Sequence, residues 1–149
     1  MNSETVGKLK QSKKSPKVVN TDLVLVGQGE VYKLDNIYYD YGQYFIRPDA
    51  AKELETRVLP LMKKYPSMRI EVRSHTDSRA TDAFNIKLST NRARAVVDYL
   101  VARGINPTRI ESKGYGEREL LNDCRDGVEC GESEHQKNRR TEFKILAVQ

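Results

Sequence analysis

Tryptophan is absent from this chain of 149 residues, and histidine and cysteine occur only twice each. Two histidines are too few for most zinc sites, and no serine or cysteine lies with a base in a recognisable nucleophile motif. We therefore predict that the protein is not an enzyme and that it holds no metal or cofactor. A hydrolase is kept as the less supported alternative.

Long apolar runs are also missing. No stretch reaches the roughly 18 apolar residues that a membrane-spanning helix needs, so none is predicted. The apolar segment of a signal peptide is not found either, so export cannot be read directly from the sequence. With 38% hydrophobic and 32% charged residues, the composition still permits one domain with a single core and a strongly solvated surface.

Positive charge is concentrated at the start of the chain. Of the net charge of +5, residues 1–20 contribute +4, because they hold one acid, Glu4, against the lysines Lys8, Lys10, Lys13, Lys14 and Lys17. We predict a basic flexible linker or tail over residues 1–30 and one folded domain over residues 31–149. Such a tail can also bind nucleic acid or anionic lipid, but a linker is the preferred interpretation and no nucleic-acid partner is predicted.

Several segments have the patterns of strands. Met68, Ile70 and Val72 alternate with charged residues, which predicts a strand over residues 68–75 with one buried face. Other strands are predicted from composition and alternation. They cover residues 21–34 (a short strand or hairpin), residues near 36–40, residues 108–116 and residues 142–148. A polar loop is predicted over residues 116–137.

Other segments have helical spacing. One helix is predicted to begin at Pro48 and to be kinked or ended early by Pro60. A short helix is predicted over residues 81–88, and Ser89 is predicted to cap a second helix that ends at Gly104. The alternation of strands and helices predicts a βαβαβ-type α/β sandwich, with a mixed sheet and helices packed on one face.

Two charged residues are candidates for one binding pocket. Asp77 follows a predicted strand, and Arg92 falls in the first turn of the helix predicted to start at Ser89. A strand end and the following helix start usually lie close together, so the two side chains could bind the ammonium and carboxylate ends of a zwitterion. Free N–H groups at the helix start would help to attract the anion, and Thr76 and Asn85 could add neutral hydrogen bonds. A structural Asp–Arg ion pair, or two solvated charges, is the alternative.

One long string of residues resembles a known family. The string SHTDSRATDAFNIKLSTNRARAVVDYLVARGI is similar to the central signature of the OmpA-like C-terminal domain family. IYYDYGQYFIRPDA resembles the opening strand and helix entry of that family, and RIESKGYGE and NRRTEFKI resemble its closing elements. The resemblance covers roughly residues 35–146 in the family's order.

The resemblance implies non-covalent binding of peptidoglycan through the diaminopimelate residue of its stem peptide. Asp77 and Arg92 match the positions that hold the two charged ends of that amino acid, and Thr76, Asn85 and Leu88 match positions that line the pocket. The NRR motif places Arg139 nearby. The sequence departs from the family at Ser74-His75, where Gly-aromatic or Gly-His is common, and at residues 79–81, where a glycine is frequent and the turn is expected to differ. His75 could contact the ligand, but an ordinary strand-end histidine is the preferred interpretation.

Cys124 and Cys130 lie six residues apart in an acidic segment. They could close a small disulfide ring, which would fit an oxidising periplasm, and two free thiols are the alternative. A Cys-bearing insertion here resembles a subgroup of the family found in multidomain outer-membrane and periplasmic proteins.

The predicted function is non-catalytic tethering of an outer-membrane or periplasmic assembly to the cell wall. The predicted partners are peptidoglycan and an outer-membrane protein or lipoprotein complex, and the predicted location is the periplasm, associated with the outer membrane. The alternative within the same class is a wall-anchoring domain of a secretion or motility machine.

Overall fold

The computed structural model describes residues 17–18, 27–34 and 46–149. These form a mixed α/β structure. Its strands are β1 (Lys17–Val18), β2 (Val31–Lys33), β3 (Arg69–Ser74), β4 (Ile110–Gly114) and β5 (Thr141–Ala147). Its α-helices are α1 (Pro48–Glu53), α2 (Leu59–Lys64), α3 (Asp82–Ala102) and α4 (Glu132–Asn138), with a π-helical segment at Leu54–Val58 and a 3₁₀ turn at Pro107–Arg109.

The strands form one sheet in the order β1-β2-β5-β3-β4. Strand β5 is antiparallel to both β2 and β3, whereas β3 and β4 are parallel. The sheet is therefore mixed, and the predicted fold class is confirmed. None of the helices among the described residues is long and apolar enough to cross a membrane.

The core lies between the sheet and the helices. Ile70 and Val72 of β3 are buried and pair in register with Ile145 and Phe143 of β5, which confirms the alternation predicted for residues 68–75. The helices complete this apolar cluster with buried side chains that include Leu54, Val58, Met62, Ala93, Val96 and Leu100. The strand predicted near residues 36–40 lies outside the described residues.

The first helical region runs through Pro60 without ending there. Pro48 occupies the first turn of α1, as predicted, and a π-helical segment separates α1 from α2. Pro60 then stands at the start of α2, which continues to Lys64. A proline cannot donate the usual helical hydrogen bond, and the wider π turn before it is the observed irregularity. The predicted early end was wrong.

The predicted break at Ser89 was also wrong. Helix α3 is continuous over 21 residues, and its N-cap is Thr81, whose hydroxyl accepts the N–H of Phe84 at 3.1 Å. The Ser89 hydroxyl instead accepts the N–H of Gly116 at 2.8 Å. Serine is favoured at helix starts because it satisfies free N–H groups, and here the N–H comes from the chain just beyond strand β4.

Close packing fixes the position of α3 on the sheet. A Cβ atom at Gly114 would lie 2.2 Å from the backbone nitrogen of Thr90, so only glycine allows this approach of β4 to the helix. The helix ends as predicted at Gly104, which has a φ of +102°.

The polar segment after β4 is more ordered than predicted. It contains the seven-residue helix α4, and helix α4 ends directly before Arg139. At the other end of the chain, β1 pairs with β2, and the N–H of Gly29 donates to the carbonyl of Ile145 at 2.7 Å. The domain boundary at residue 30 stays a prediction.

Candidate functional site

The candidate site starts where strand β3 ends. The loop after Ser74 is held by the N–H of Thr76, which donates to the carbonyl of Gly116 at 2.9 Å. The Thr76 hydroxyl donates to the carbonyl of Asp77, also at 2.9 Å. The Asp77 side chain is thereby fixed at the edge between the sheet and helix α3, where it is buried.

Three hydrogen bonds converge on the Asp77 carboxylate. Its Oδ1 accepts the backbone N–H of Arg79 at 3.0 Å. Its Oδ2 accepts Nη2 of Arg79 and Nη1 of Arg139, both at 2.7 Å. Burial raises the pKa of Asp77, but these bonds from the two arginines outweigh it, so the pKa lies below its usual value. Asp77 is therefore a carboxylate at neutral pH.

Helix α3 presents three of the predicted residues to this loop. Asn85, Leu88 and Arg92 are spaced three and four positions apart, which places them on one helix face. Arg92 is fully buried, and its Nη1 donates to the carbonyl of His75 at 3.4 Å. The amide nitrogen of Asn85 lies within hydrogen-bond distance of the Asp77 carbonyl, at 3.3 Å.

All six predicted binding residues line one pocket. Its walls are formed by Thr76, Asp77, Phe84, Asn85, Leu88, Arg92 and Arg139. The cavity volume is about 10 Å³, which is close to the space that one water molecule requires. The structure thus brings the predicted residues together, while their role in binding a ligand stays a prediction.

One part of the predicted electrostatics was wrong. Arg92 lies in the middle of α3, because the helix begins at Asp82 and not at Ser89. Its guanidinium therefore does not face an unfavourable helix dipole, and free N–H groups of a helix start do not lie beside it. Asp77 forms ion pairs with Arg79 and with Arg139, two arginines other than the predicted Arg92.

Residues missed by the sequence reasoning complete the site. Glu132 of α4 pairs with Nη1 of Arg79 at 3.2 Å and also accepts a bond from Arg139. Asp77, Arg79, Glu132 and Arg139 thus alternate in charge, and we call these four residues the pocket cluster. Helix α4 had been predicted as loop, so no pattern placed Glu132 near Asp77.

Phe84 was also missed, although it has a sequence signal. It lies one helical turn before Leu88 and is a large apolar residue with an exposed side chain. The predicted helix over residues 81–88 already contained both, at a spacing that puts them on the same face.

A second acid lies beside the pocket. Glu117 accepts a hydrogen bond from the Asn85 side chain at 2.9 Å. Burial and a hydrogen bond with Asp126 raise the pKa of Glu117 to about 7. This carboxyl group therefore changes charge near neutral pH, next to a residue that lines the pocket.

A disulfide braces the loop that carries Asp77. Cys124 and Cys130 are bonded, so the predicted ring is confirmed. The Ser78 hydroxyl, in the loop that carries Asp77, donates to the carbonyl of Cys124. The side-chain nitrogen of Asn122, two residues before Cys124, donates to the carbonyl of Glu134 in α4 at 2.9 Å. The ring therefore connects the Asp77 loop to the helix that supplies Glu132.

His75 belongs to a separate buried group. Its Nε2 lies 3.0 Å from Glu142, and Arg140 Nε donates to the same carboxylate at 2.6 Å. We call His75, Arg140 and Glu142 the closed cluster. Burial lowers the pKa of His75, so the neutral ring donates its Nε2–H to Glu142. Burial raises the pKa of Glu142, but its bonds from His75 and Arg140 bring it down to about 2.

The closed cluster lies on the outer face of the sheet. Phe143 points into the core, so Glu142, its neighbour along β5, points to the outer face. There the His75 ring stacks on Tyr115 with centroids 5.4 Å apart. His75 is not part of the pocket wall, which agrees with its interpretation as an ordinary strand-end histidine.

Comparison with known proteins identifies a matching family. Residues 38–133 match the OmpA family. That range includes five of the six predicted binding residues, and Arg139 follows it.

Curated relatives are about one-third identical to this chain over the aligned segments. Outer membrane porin F of Pseudomonas fluorescens is 34% identical over 112 residues, covering 75% of this chain and 32% of the porin. The peptidoglycan-associated lipoprotein of Rhizobium meliloti is 35% identical over 96 residues, covering 64% of this chain and 53% of the lipoprotein. The chain thus spans about a third and about half of the length of these relatives.

A solved structure shows the same fold. The crystal structure of the peptidoglycan-associated lipoprotein from Burkholderia pseudomallei superposes with a TM-score of 0.64 at 23% sequence identity. The superposition covers 73% of this chain and 87% of that one.

Proposed function

The chain belongs to the OmpA family, and from this premise we propose that it binds peptidoglycan without cleaving it and tethers an outer-membrane or periplasmic assembly to the cell wall. The observation that carries the proposal is that Asp77 and the buried Arg92, which carry opposite charges, line one pocket. A relative that is named a peptidoglycan-associated lipoprotein supports the class of ligand.

The proposed ligand group is the diaminopimelate residue of the stem peptide. Its side chain ends in an ammonium and a carboxylate on one carbon, so the ammonium would bind Asp77 and the carboxylate would bind Arg92. A buried charge is stable only beside a charge of opposite sign or several hydrogen-bond partners. A ligand that brings both charges matches this wall, and Thr76, Asn85 and Leu88 would contact its neutral atoms.

The proposed setting is the periplasm, in association with the outer membrane. The domain over residues 31–149 would bind the wall, and the basic segment over residues 1–30 would link it to an outer-membrane protein or lipoprotein complex. One pocket need not bind tightly, because many copies attached to one polymer hold it through their combined contacts. The same binding would serve a wall anchor of a secretion or motility machine.

Sedimentation with purified peptidoglycan tests the proposal. The Asp77→Asn and Arg92→Gln variants should each lose at least about tenfold in affinity, because removing one member of a buried charge pair costs about 2–5 kcal/mol of binding. The amount of protein that sediments with sacculi is measured across a range of sacculus concentrations.

Matched controls separate binding from general charge effects. Arg94→Gln and Asp98→Asn change the same residue types at exposed positions of α3 and should sediment like the unaltered protein. Circular dichroism verifies that each variant is folded, and Arg92→Lys keeps the buried charge if Arg92→Gln unfolds. Full binding by folded Asp77 and Arg92 variants would reject the site.

Two further measurements sharpen the ligand assignment. Amidation of the diaminopimelate carboxylate, or its absence in lysine-type stem peptides, should weaken binding, since Arg92 then lacks its anion. Equal affinity for these wall types would contradict the proposed pairing. Release of soluble muropeptides from the sacculi would instead favour the hydrolase alternative.

A further inference from the structure

Arg79 holds the outer side of the Asp77 carboxylate. Its Nη2 donates to Asp77 Oδ2 at 2.7 Å, and its Nη1 lies 3.2 Å from Glu132. The guanidinium therefore bridges two acids, one in the pocket wall and one on helix α4. Asp77 Oδ2 is also the atom that accepts the bond from Arg139.

The two arginines on Asp77 differ in how firmly they are fixed. The Arg139 side chain is 3% exposed and also donates to Glu132 and Gln136. The Arg79 side chain is 35% exposed. An exposed ion pair contributes little net stability, because water can replace either partner. Arg79 is therefore the partner that can leave Asp77 at the smaller cost.

The pocket has too little space for an amino acid side chain beside these groups. Its cavity volume of about 10 Å³ corresponds to one water molecule. An ammonium group that approaches Asp77 Oδ2 meets a carboxylate that already accepts three hydrogen bonds. Because Oδ2 already accepts from both arginines, a ligand cation that binds this oxygen replaces one of the present donors.

We propose that Arg79 competes with the ligand: its guanidinium occupies the place of the ligand ammonium on Asp77 and must be displaced by it. This inference rests on the proposed function of the pocket. When the ammonium binds Asp77, Arg79 keeps its second partner, Glu132, so the exchange leaves no acid and no guanidinium without an opposite charge.

Whether the exchange takes place depends on the chemistry of the ligand. A group that brings a cation repays the loss of the Arg79–Asp77 bond with a bond of the same kind. A dicarboxylate without an amine cannot do so, because displacing Arg79 would leave Asp77 with less positive charge around it. Arg79 thus lowers the affinity for ammonium ligands that bind Asp77, whereas a ligand that leaves the Arg79–Asp77 pair in place does not bear this cost.

Titration with two matched ligands tests the inference. Free meso-diaminopimelate and pimelate have the same seven-carbon dicarboxylate chain, and only the former carries ammonium groups. Isothermal titration is carried out on the unaltered chain, Arg79→Gln, Arg79→Lys and the control Arg118→Gln, an arginine that pairs with Asp82 on the exposed surface. Thermal unfolding of each variant verifies that it is folded.

The expected result is a gain in affinity for diaminopimelate and not for pimelate. Arg79→Gln should bind diaminopimelate about 3- to 10-fold more tightly, because the competing charge-assisted hydrogen bond is gone. Its affinity for pimelate should not rise. The affinity of Arg79→Lys for diaminopimelate should lie between those of the unaltered chain and Arg79→Gln, since an ammonium cannot bridge Asp77 and Glu132 as a planar guanidinium does. Arg118→Gln should behave like the unaltered chain.

The outcomes that overturn the inference differ from those that overturn the proposed function. Asp77-dependent binding of diaminopimelate that is unchanged or weaker in Arg79→Gln would show that Arg79 does not compete, while the proposed function stands. An equal gain for pimelate would show that the gain does not come from an ammonium on Asp77 and would reject the competition. If the unaltered chain and all variants fail to bind diaminopimelate, the proposed function and this inference are both rejected.

Discussion

The closed cluster and the pocket cluster use the same chemistry with different access to water. Consecutive arginines supply one guanidinium to each, Arg140 to Glu142 and Arg139 to Asp77. Each side chain of the closed cluster is at most 3% exposed, whereas Arg79 in the pocket cluster is 35% exposed. Both clusters contain ion pairs, but only the pocket cluster has an arginine that is partly exposed and can leave its acid. The exposure of Arg79 therefore distinguishes the two clusters.

The position in the fold explains the difference. The closed cluster lies on the outer face of the sheet, where Tyr115 covers His75 and Arg140 also donates to the carbonyl of Glu119 at 2.9 Å. The pocket cluster lies at the edge between the sheet and α3, where Arg79 follows the loop out towards solvent. The first group is suited to hold the structure together, and the second is suited to bind.

The largest expected effect is the loss of an acid from the closed cluster. Glu142→Ala should lower the free energy of unfolding by about 3–5 kcal/mol, because it leaves a buried guanidinium without its counter-charge. Asp77→Ala should cost only about 1–2 kcal/mol, since Arg79 can turn into water and Arg139 keeps Glu132 and Gln136. Urea unfolding measures both values, and equal losses would remove the distinction between the clusters.

Acid should act first on the closed cluster. The pKa of Glu142 falls from its ordinary 4.5 to about 2 in the folded state, so its contribution is present above pH 4.5 and is lost as the pH falls towards 2. The pKa of buried His75 is lowered too, so the unfolded state gains a proton there first and stability also declines below about pH 6.5. Thermal unfolding between pH 7 and pH 2.5 should show this decline, with a shallower acid limb in Glu142→Gln. An unchanged limb would assign the acid sensitivity to other groups.

Removal of the disulfide should affect the pocket cluster more than the closed cluster. The double variant Cys124→Ser, Cys130→Ser should lose roughly 2 kcal/mol of stability, the value expected for a small ring. Its affinity for peptidoglycan should fall as well, because Ser78 donates to Cys124 and the ring supports the Asp77 loop. Unfolding and sedimentation measure the two effects. Full binding at reduced stability would show that the loop holds its shape without the ring.

The smallest expected effect concerns the turn between Arg79 and α3. Ala80 has a φ of +75°, a conformation that favours glycine. Ala80→Gly should stabilise the protein by about 0.5–1 kcal/mol after the entropy cost of glycine. Ala95→Gly in the middle of α3 is the control and should destabilise by up to about 1 kcal/mol. A loss of stability in both variants would contradict the strain at Ala80.

Local patterns predicted much of the fold. The alternation of Ile70 and Val72 placed β3, and Pro48 and Gly104 marked helix ends, because each of these signals depends only on neighbouring residues. Ser89 misled the prediction for the same reason. Its hydroxyl bonds to Gly116, which is distant in sequence, and a local rule interprets it as a helix start.

The residues that line the site were predicted from the sequence, but the charged residues that pair with them were not. The six residues taken from the family resemblance line one pocket. The partners that compensate them come from a turn and from a short helix that the sequence did not reveal. Glu132 meets Arg79 only because the chain folds back after the disulfide ring. The closed cluster was equally hidden, since Glu142 reads in sequence as an exposed residue of an alternating strand.

The central claim is that Asp77 and Arg92 hold the two charged ends of one ligand group. A crystal structure of the chain with bound meso-diaminopimelate tests it most directly. We expect the ammonium within about 3 Å of Asp77 Oδ2 and the carboxylate on the Arg92 guanidinium, with Arg79 turned away from Asp77 and towards Glu132. Diaminopimelate bound elsewhere on the surface, with the Arg79–Asp77 pair intact, would contradict the account.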